Sequence, residues 1–397
     1  MIDTFDDKRH GRVLWRGDGV ACCLRFAVLV VVLVLAGCAA RPGPEVLNPV
    51  PTSLPGAKMV TVYVATTAER EIPDSNVFAS GRARSLNYAE FKISIPPRHQ
   101  PGNIEWPIGN PDPAVSFATV QQSILDKQTF DRRVTSGASS SSRAKVGVFV
   151  HGFNTNFQEA VYRLAQMAAD ADVDGVPILF AWPSAAKAAG YVADKEAVTY
   201  SRDRLAELLT TLSRKTSVER ISLIGHSMGA WLTVEALRQL RLARNDAVIN
   251  RLNVILAAPD IDVDVFRSQM EVIGPLSPPM TVLVSRDDIA LRISAKIAGE
   301  RPRLGILDVD DPRVQEAALK ANLQIVDISS LKASDGFNHD RFVGLATLHS
   351  RLAQTEAGGA GHDMRRAGAF IFNTVGTTLS APFSLVGGAI AGDDMVR

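Results

Sequence analysis

The chain has 397 residues, is 46% hydrophobic and 21% charged, and carries a formal net charge of +1. That composition excludes a disordered chain, and the near-neutral balance leaves none of the cationic excess that a nucleic-acid partner requires. Residues 1–37 hold five Lys or Arg and four Asp or Glu, so the remainder balances to zero, and the length suffices for one large or two ordinary domains.

The first element reads as a targeting signal. Arg25 precedes eleven uninterrupted apolar residues, Phe26 to Ala36, a length that suits a signal-peptide core and falls short of a membrane span. Leu35-Ala36-Gly37-Cys38 resembles the bacterial lipobox, which implies removal of residues 1–37 and lipidation of Cys38 as the new N-terminus. Ala39, not an aspartate, follows that cysteine, and in the lipobox pattern this implies outer-membrane retention facing the periplasm. Cys22 and Cys23 lie within the removed segment, so the mature chain has no cysteine pair for a disulfide. Residues 38–58 contain Pro42, Pro44, Pro49, Pro51 and Pro55 and read as an extended tether.

The expected main domain spans 59–355. Met59 to Thr66 and Phe91 to Ile95 alternate as strands do and are expected to pair at one edge of a sheet. Thr135 to Ser142 reads as a surface loop. Apolar runs then alternate with amphipathic helices: Val146 to Val150, Ile178 to Ala181, Ile221 to Ile224, Leu252 to Ala257, Thr281 to Val284 and Leu323 to Ile328. Runs apolar throughout are what parallel strands covered on both faces require, so the pattern predicts an α/β fold, a doubly wound and mostly parallel sheet with helices on both faces. Ligands of such sheets sit beyond the carboxyl ends of the strands. The tail, 356–397, includes an uncharged stretch from Ala367 to Ala391 that Pro382 and four glycines interrupt; it reads as a helix packed on the domain or one lying at a membrane surface.

Gly225-His226-Ser227-Met228-Gly229 stands where an apolar strand meets a helical pattern. A serine at such a sharp turn projects its hydroxyl above the sheet, at the positive end of the helix that follows. A serine hydroxyl attacks at neutral pH only when a histidine takes its proton, and the histidine in turn needs a carboxylate. His339, in the turn-rich stretch 334–340 after the last strand, is the expected base, ahead of His349 within the next helix and His362 in the tail. Asp288 is the expected acid, with Asp287 beside it and Asp260 after the preceding strand as competitors; Asp287 is otherwise a solvated neighbour or a helix cap. The backbone N–H groups of Met228 and Phe153, the latter in Val150-His-Gly-Phe-Asn154, are the expected oxyanion donors. Trp182, Tyr191 and Tyr200 line a pocket or simply pack. Such chemistry calls for no cofactor and no metal.

These motifs, in this order, resemble the α/β-hydrolase superfamily, and more narrowly a bacterial esterase- and lipase-like family of unknown function within it. Matching stretches include Val-Tyr-Val-Ala-Thr-Thr (62–67), Ile-Ser-Ile-Pro-Pro-Arg-His (93–99), Ala-Trp-Pro-Ser (181–184), Ala-Pro-Asp-Ile-Asp (258–262) and Asp-x-Ala-Leu (288–291), spanning about Val60 to Leu352. The resemblance implies Ser227 as nucleophile, Asp288 as acid and His339 as base, although Asp340-Arg341-Phe342 departs from the pattern that usually follows the histidine. The expectation is a lipid-anchored serine hydrolase of the bacterial envelope that cleaves carboxylic esters or thioesters on small molecules or lipids. The alternative is a non-catalytic envelope lipoprotein that uses the fold as a binding or assembly module.

Overall fold

Among the described residues nine strands form one sheet in the order β3-β2-β1-β5-β4-β6-β7-β8-β9. They are β1 (Lys58–Arg70), β2 (Phe78–Ile95), β3 (Ala118–Leu125), β4 (Ala144–Val150), β5 (Val176–Ala181), β6 (Val218–His226), β7 (Leu252–Ala257), β8 (Met280–Val284) and β9 (Leu323–Asp327). This computed structural model describes residues 41–51, 54–136, 144–171 and 175–345, and the compact unit begins at Gly43. The expected signal segment (1–37), Cys38, His349, His362 and the 356–397 tail lie outside the described residues. Among the described residues no helix is long and apolar enough to cross a membrane.

β1, β2 and β3 are antiparallel; every pairing from β1–β5 through β8–β9 is parallel. Parallel neighbours need crossovers, and the helices supply them: α1 (Lys127–Ser136), α2 (Phe157–Ala171), α3 (Tyr191–Ser213), α4 (Met228–Leu242), the short α5 (Asp246–Ile249), α6 (Val263–Ile273), α7 (Ile289–Ile297) and α8 (Pro312–Lys320). Strand side chains alternate between two apolar layers. Val148 and Val150 of β4 join the layer of α3, α4 and α6, whereas Phe149 between them joins that of α2. Each large side chain wholly withdrawn from water, such as Phe149 or Leu164, contributes about 1.5–3 kcal/mol. The sheet is thus doubly wound, and the apolar runs of the sequence are its parallel strands.

Register gathers the site. Val150 pairs with Gly225, His226 with Ala257, Ala257 with Leu283, and Val284 with Asp327, so these strands end at one rim. The segments that leave it carry Gly152, Ser227, Asp260, Asp288 and His339.

Three expectations need correction. The β1–β2 pair is not the edge, because β3 adds outside β2; its alternating, half-polar face carries a weaker apolar signal than the buried strands do. Thr135 and Ser136 close α1 and are not part of a loop, since Phe130 and Val134 anchor that helix in the core. The tether expected to run to residue 58 is docked from Gly43 onward. Pro44–Leu47 form a 3-10 turn that buries Val46 and Leu47, and the Tyr162 hydroxyl donates to the Val46 carbonyl at 2.6 Å.

Candidate active site

Ser227 joins β6 to α4 with φ +54° and ψ −118°, a conformation outside the regions open to L-residues that costs about 1–3 kcal/mol. Neighbours over-determine it. The Ser227 N–H donates to the Ala257 carbonyl (2.9 Å), and its own carbonyl accepts from Ala230 (3.0 Å) and Asp260 (3.2 Å). Close approach explains the glycines around it. A Cβ at Gly225 would stand 2.7 Å from the Ala230 Cα, and one at Gly229 would overlap the carbonyl oxygens of Val150 and His151. At Gly152 it would lie 3.0 Å from the Ser227 Cβ. The turn brings β4's loop against the serine, and only glycine fits the seam.

His339 and Asp288 are brought together. The Asp288 carboxylate, wholly buried, can only accept, so the His339 Nδ1–H donates to Oδ2 at 2.7 Å and Nε2 is left with its lone pair. Burial pulls the His339 pKa down, but the hydrogen bond and charge of Asp288 outweigh it, leaving the imidazole above its ordinary value of 6.5. Asp288 also caps α7, its Oδ1 accepting from the Leu291 N–H at 2.9 Å, which holds the carboxylate by a bond separate from that to the histidine. The His339 ring lies 4.7 Å from that of His226, the residue preceding Ser227, and the His226 Nε2 faces the His339 carbonyl at 3.3 Å. Burial and the charge of His339 hold His226 neutral, its pKa well below the usual value. The histidine loop thus packs beside the serine turn.

The two competing acids are committed elsewhere. Asp287 accepts from Arg341 Nη2 (2.6 Å) and Asn338 Nδ2 (3.0 Å), and so grips the histidine loop from outside the imidazole. Asp260 accepts from the Tyr191 hydroxyl (2.9 Å) and the Ser294 hydroxyl (2.5 Å), with the buried Arg303 Nε 3.2 Å away. Burial, then the Asp260 charge, push the Tyr191 phenol up to about 12, so it stays a donor. Further ties set the loop: the His339 N–H donates to Asp335 (3.0 Å), and Asp340 takes the N–H groups of Ser334 (2.8 Å) and Asp335 (3.1 Å). Arg163 of α2 lies 3.5 Å from Asp340. Sequence reasoning missed these clamps. Partners such as Arg341 and Asp287 lie 54 residues apart and Tyr191 and Asp260 lie 69 apart, and only the adjacency of Asp287 and Asp288 hinted that two carboxylates divide the work.

The expected oxyanion donors lie on the two segments that meet at Ser227: Met228 follows it, and Phe153 follows Gly152, whose added Cβ would stand 3.0 Å from the Ser227 Cβ. Among the described residues, neither the Phe153 nor the Met228 N–H donates to a backbone or side-chain acceptor. His151 sets the Phe153 loop: its Nδ1–H donates to the Gly152 carbonyl (3.0 Å), Nε2 accepts the Trp182 N–H (3.2 Å), and the indole N–H returns to the His151 carbonyl (2.8 Å). Burial lowers the His151 pKa to about 4, so it is neutral and structural at physiological pH. Of the aromatic group, Trp182 stacks on His151, Tyr191 packs edge-on to Phe153 (5.2 Å), and the exposed Tyr200 donates to the Ala83 carbonyl, away from the site. Among the described residues no three His, Cys, Asp or Glu side chains are arranged to hold a metal.

Similarity to solved structures is distant. A putative cell surface hydrolase from Lactobacillus plantarum is 9% identical over 58% of this chain and 98% of its own, with a TM-score of 0.34. Est1E from Butyrivibrio proteoclasticus is 9% identical over 68% and 96%, with a TM-score of 0.33. A putative hydrolase from Agrobacterium vitis is 12% identical over 66% and 90%, with a TM-score of 0.30. No curated protein sequence matches. The assignment rests instead on a family model, described as alpha/beta hydrolase of unknown function (DUF900), that matches residues 126–355. With more than half of the chain matched, and its sheet, crossovers and serine turn as described, the protein belongs to that alpha/beta hydrolase family.

Proposed function

We propose that the protein is a serine hydrolase that cleaves carboxylic esters or thioesters through an acyl-Ser227 intermediate, and that it acts in the bacterial envelope on a lipid anchor at Cys38. The observation that carries the catalytic part is the buried Asp288–His339 hydrogen bond on the loop packed beside the strained Ser227 turn. His339 Nε2 takes the hydroxyl proton as Ser227 Oγ attacks the carbonyl carbon. The Phe153 and Met228 N–H groups hold the oxyanion, and the imidazolium, stabilised by Asp288, returns its proton to the leaving alkoxide or thiolate. A water molecule, deprotonated by the same imidazole, then releases the carboxylic acid and restores Ser227. The envelope location is supported by the apolar run ending in Leu35-Ala36-Gly37-Cys38.

The test is turnover of short-chain p-nitrophenyl esters and their thioester counterparts by full-length protein. Ser227→Ala is expected to keep the wild-type circular dichroism and to lose about 10⁴-fold or more in kcat. In cells, Cys38→Ser is expected to lose the labelled fatty acid that the wild type incorporates. An alanine variant as active as the wild type overturns the catalytic reading, and equal label in both proteins overturns the anchor.

A further inference from the structure

Helix α7 keeps little of itself in the core: Leu291 and Ser294 are its buried residues. Ile289, Ile293 and Ile297, which are 40%, 46% and 56% exposed, recur at every fourth position and so share one face. Exposed Arg292 and Lys296 border that face, and residues 289–297 contain no acid. Arg292 donates to the Arg286 carbonyl at 2.7 Å, but among the described residues neither Arg292 nor Lys296 forms an ion pair. Arg286 itself is neutralised, ringed by Asp308, Asp310 and Asp327. At the start of the helix the Ile289 N–H donates to the carbonyl of Phe337 (2.9 Å), whose side chain is 52% exposed at the tip of the histidine loop.

We propose that this face, Ile289, Ile293, Ile297 and Phe337 bordered by Arg292 and Lys296, docks on an anionic phospholipid surface. Aliphatic and aromatic side chains on one side of a helix with basic residues beside them are the composition of an interfacial helix, whose apolar face enters the acyl boundary while the cations meet headgroup phosphates. Charge decides between this occupant and the others. A second copy packed face to face, with the twofold axis through this helix, sets Arg292 and Lys296 near their own counterparts, like against like. The tail carries no charge from Ala367 to Ala391, the apolar part that could cover this face, and its acids, Glu356, Asp363, Asp393 and Asp394, lie outside that part. A bilayer surface of anionic lipid satisfies both the apolar and the charged residues. Asp288 caps this same helix and His339 follows Phe337 by two residues, so the docking face and the candidate acid and base share their supporting elements. The inference goes beyond the hydrolase reading and stands whether or not Ser227 turns over.

The experiment places a reporter in the face. Full-length Phe337→Trp protein is mixed with vesicles of equimolar phosphatidylglycerol and brominated phosphatidylcholine, and quenching is measured against the wild-type tryptophan background. Quenching is expected, with little in vesicles of brominated phosphatidylcholine alone and progressive loss as salt is raised. Each basic residue near such a surface is worth about fivefold in partitioning, so adding Arg292→Glu and Lys296→Glu is expected to weaken partitioning by at least about 30-fold. Ile293→Asp, a change at an exposed position, is expected to remove the quenching while circular dichroism is kept. Absence of quenching in protein that sediments with the anionic vesicles overturns the proposal, as does equal quenching with both lipids. Emission at position 337 that follows protein concentration without lipid points to a second copy and overturns it. So does a response that appears only after residues 356–397 are deleted, which assigns the face to the tail.

Discussion

Asp288→Asn is expected to lower kcat/KM for ester substrates by about 10⁴-fold while the protein stays folded. The amide keeps the shape of the carboxylate and can still accept from the Leu291 N–H that it caps, so α7 retains its first turn. What changes is the imidazole. Without a charged acceptor 2.7 Å from Nδ1, the tautomer with its lone pair at Nε2 is no longer favoured, and the imidazolium formed during attack has no counter-charge. The pH profile carries the same information. A base must be neutral to act, and the wild-type His339 pKa is raised above 6.5, so the rising limb of kcat/KM is expected above that pH. Burial favours the neutral ring and Asp288 the charged one; removing the charge therefore moves the limb of the asparagine variant to lower pH. Stability has the opposite sense. A histidine whose folded pKa is raised stabilises fully below its unfolded value and loses that contribution as pH climbs through the folded one, so the pair is firmest in acid, where it is protonated and inactive. An asparagine variant with an unchanged rate and limb would separate Asp288 from the chemistry.

Gly229→Ala is expected to cost about 3 kcal/mol of stability, read as a lower midpoint in denaturant, and to take activity with it. The added methyl would overlap two main-chain carbonyls, those of Val150 and His151, and neither can rotate away as a flexible side chain does. Relief requires the end of β4 to withdraw from the start of α4. That movement shifts Gly152 and Phe153, whose loop the His151–Trp182 hydrogen bonds hold in place. Gly175→Ala, at an exposed glycine where an added Cβ would meet only ordinary van der Waals contacts, is the surface control. A Gly229→Ala protein with wild-type stability and activity would show that the seam between β4 and α4 tolerates more than its geometry implies.

How much of this could be read beforehand depended on the range of the interaction. Parallel strands were legible because burial on both faces leaves Val146 to Val150 or Leu252 to Ala257 almost no room for polar residues. The serine turn was legible because Gly225, Gly229 and Gly152 satisfy contacts that only glycine can. The choice among Asp260, Asp287 and Asp288 was not closed by sequence, since all three follow strands that end at the same rim. Only side-chain geometry shows Asp260 held by Tyr191 and Ser294, and Asp287 by Arg341 and Asn338. Val46 and Leu47 misled for a related reason. Prolines on both sides read as extended chain, while the burial comes from a core cluster distant in sequence that includes Tyr162, 116 residues from Val46. β3 was missed because an edge strand that faces solvent needs little apolar signal.

The most direct measurement is the pH dependence of fluorophosphonate modification, with the adduct located by peptide mass spectrometry, for the wild type and His339→Ala. The expected result is a single adduct on Ser227, formed at a rate that rises with pH through a midpoint above 6.5 and falls by orders of magnitude in the His339 variant. An adduct on another residue, an unlabelled wild type that is folded, or equal rates in the two proteins would contradict a serine activated by the Asp288–His339 pair.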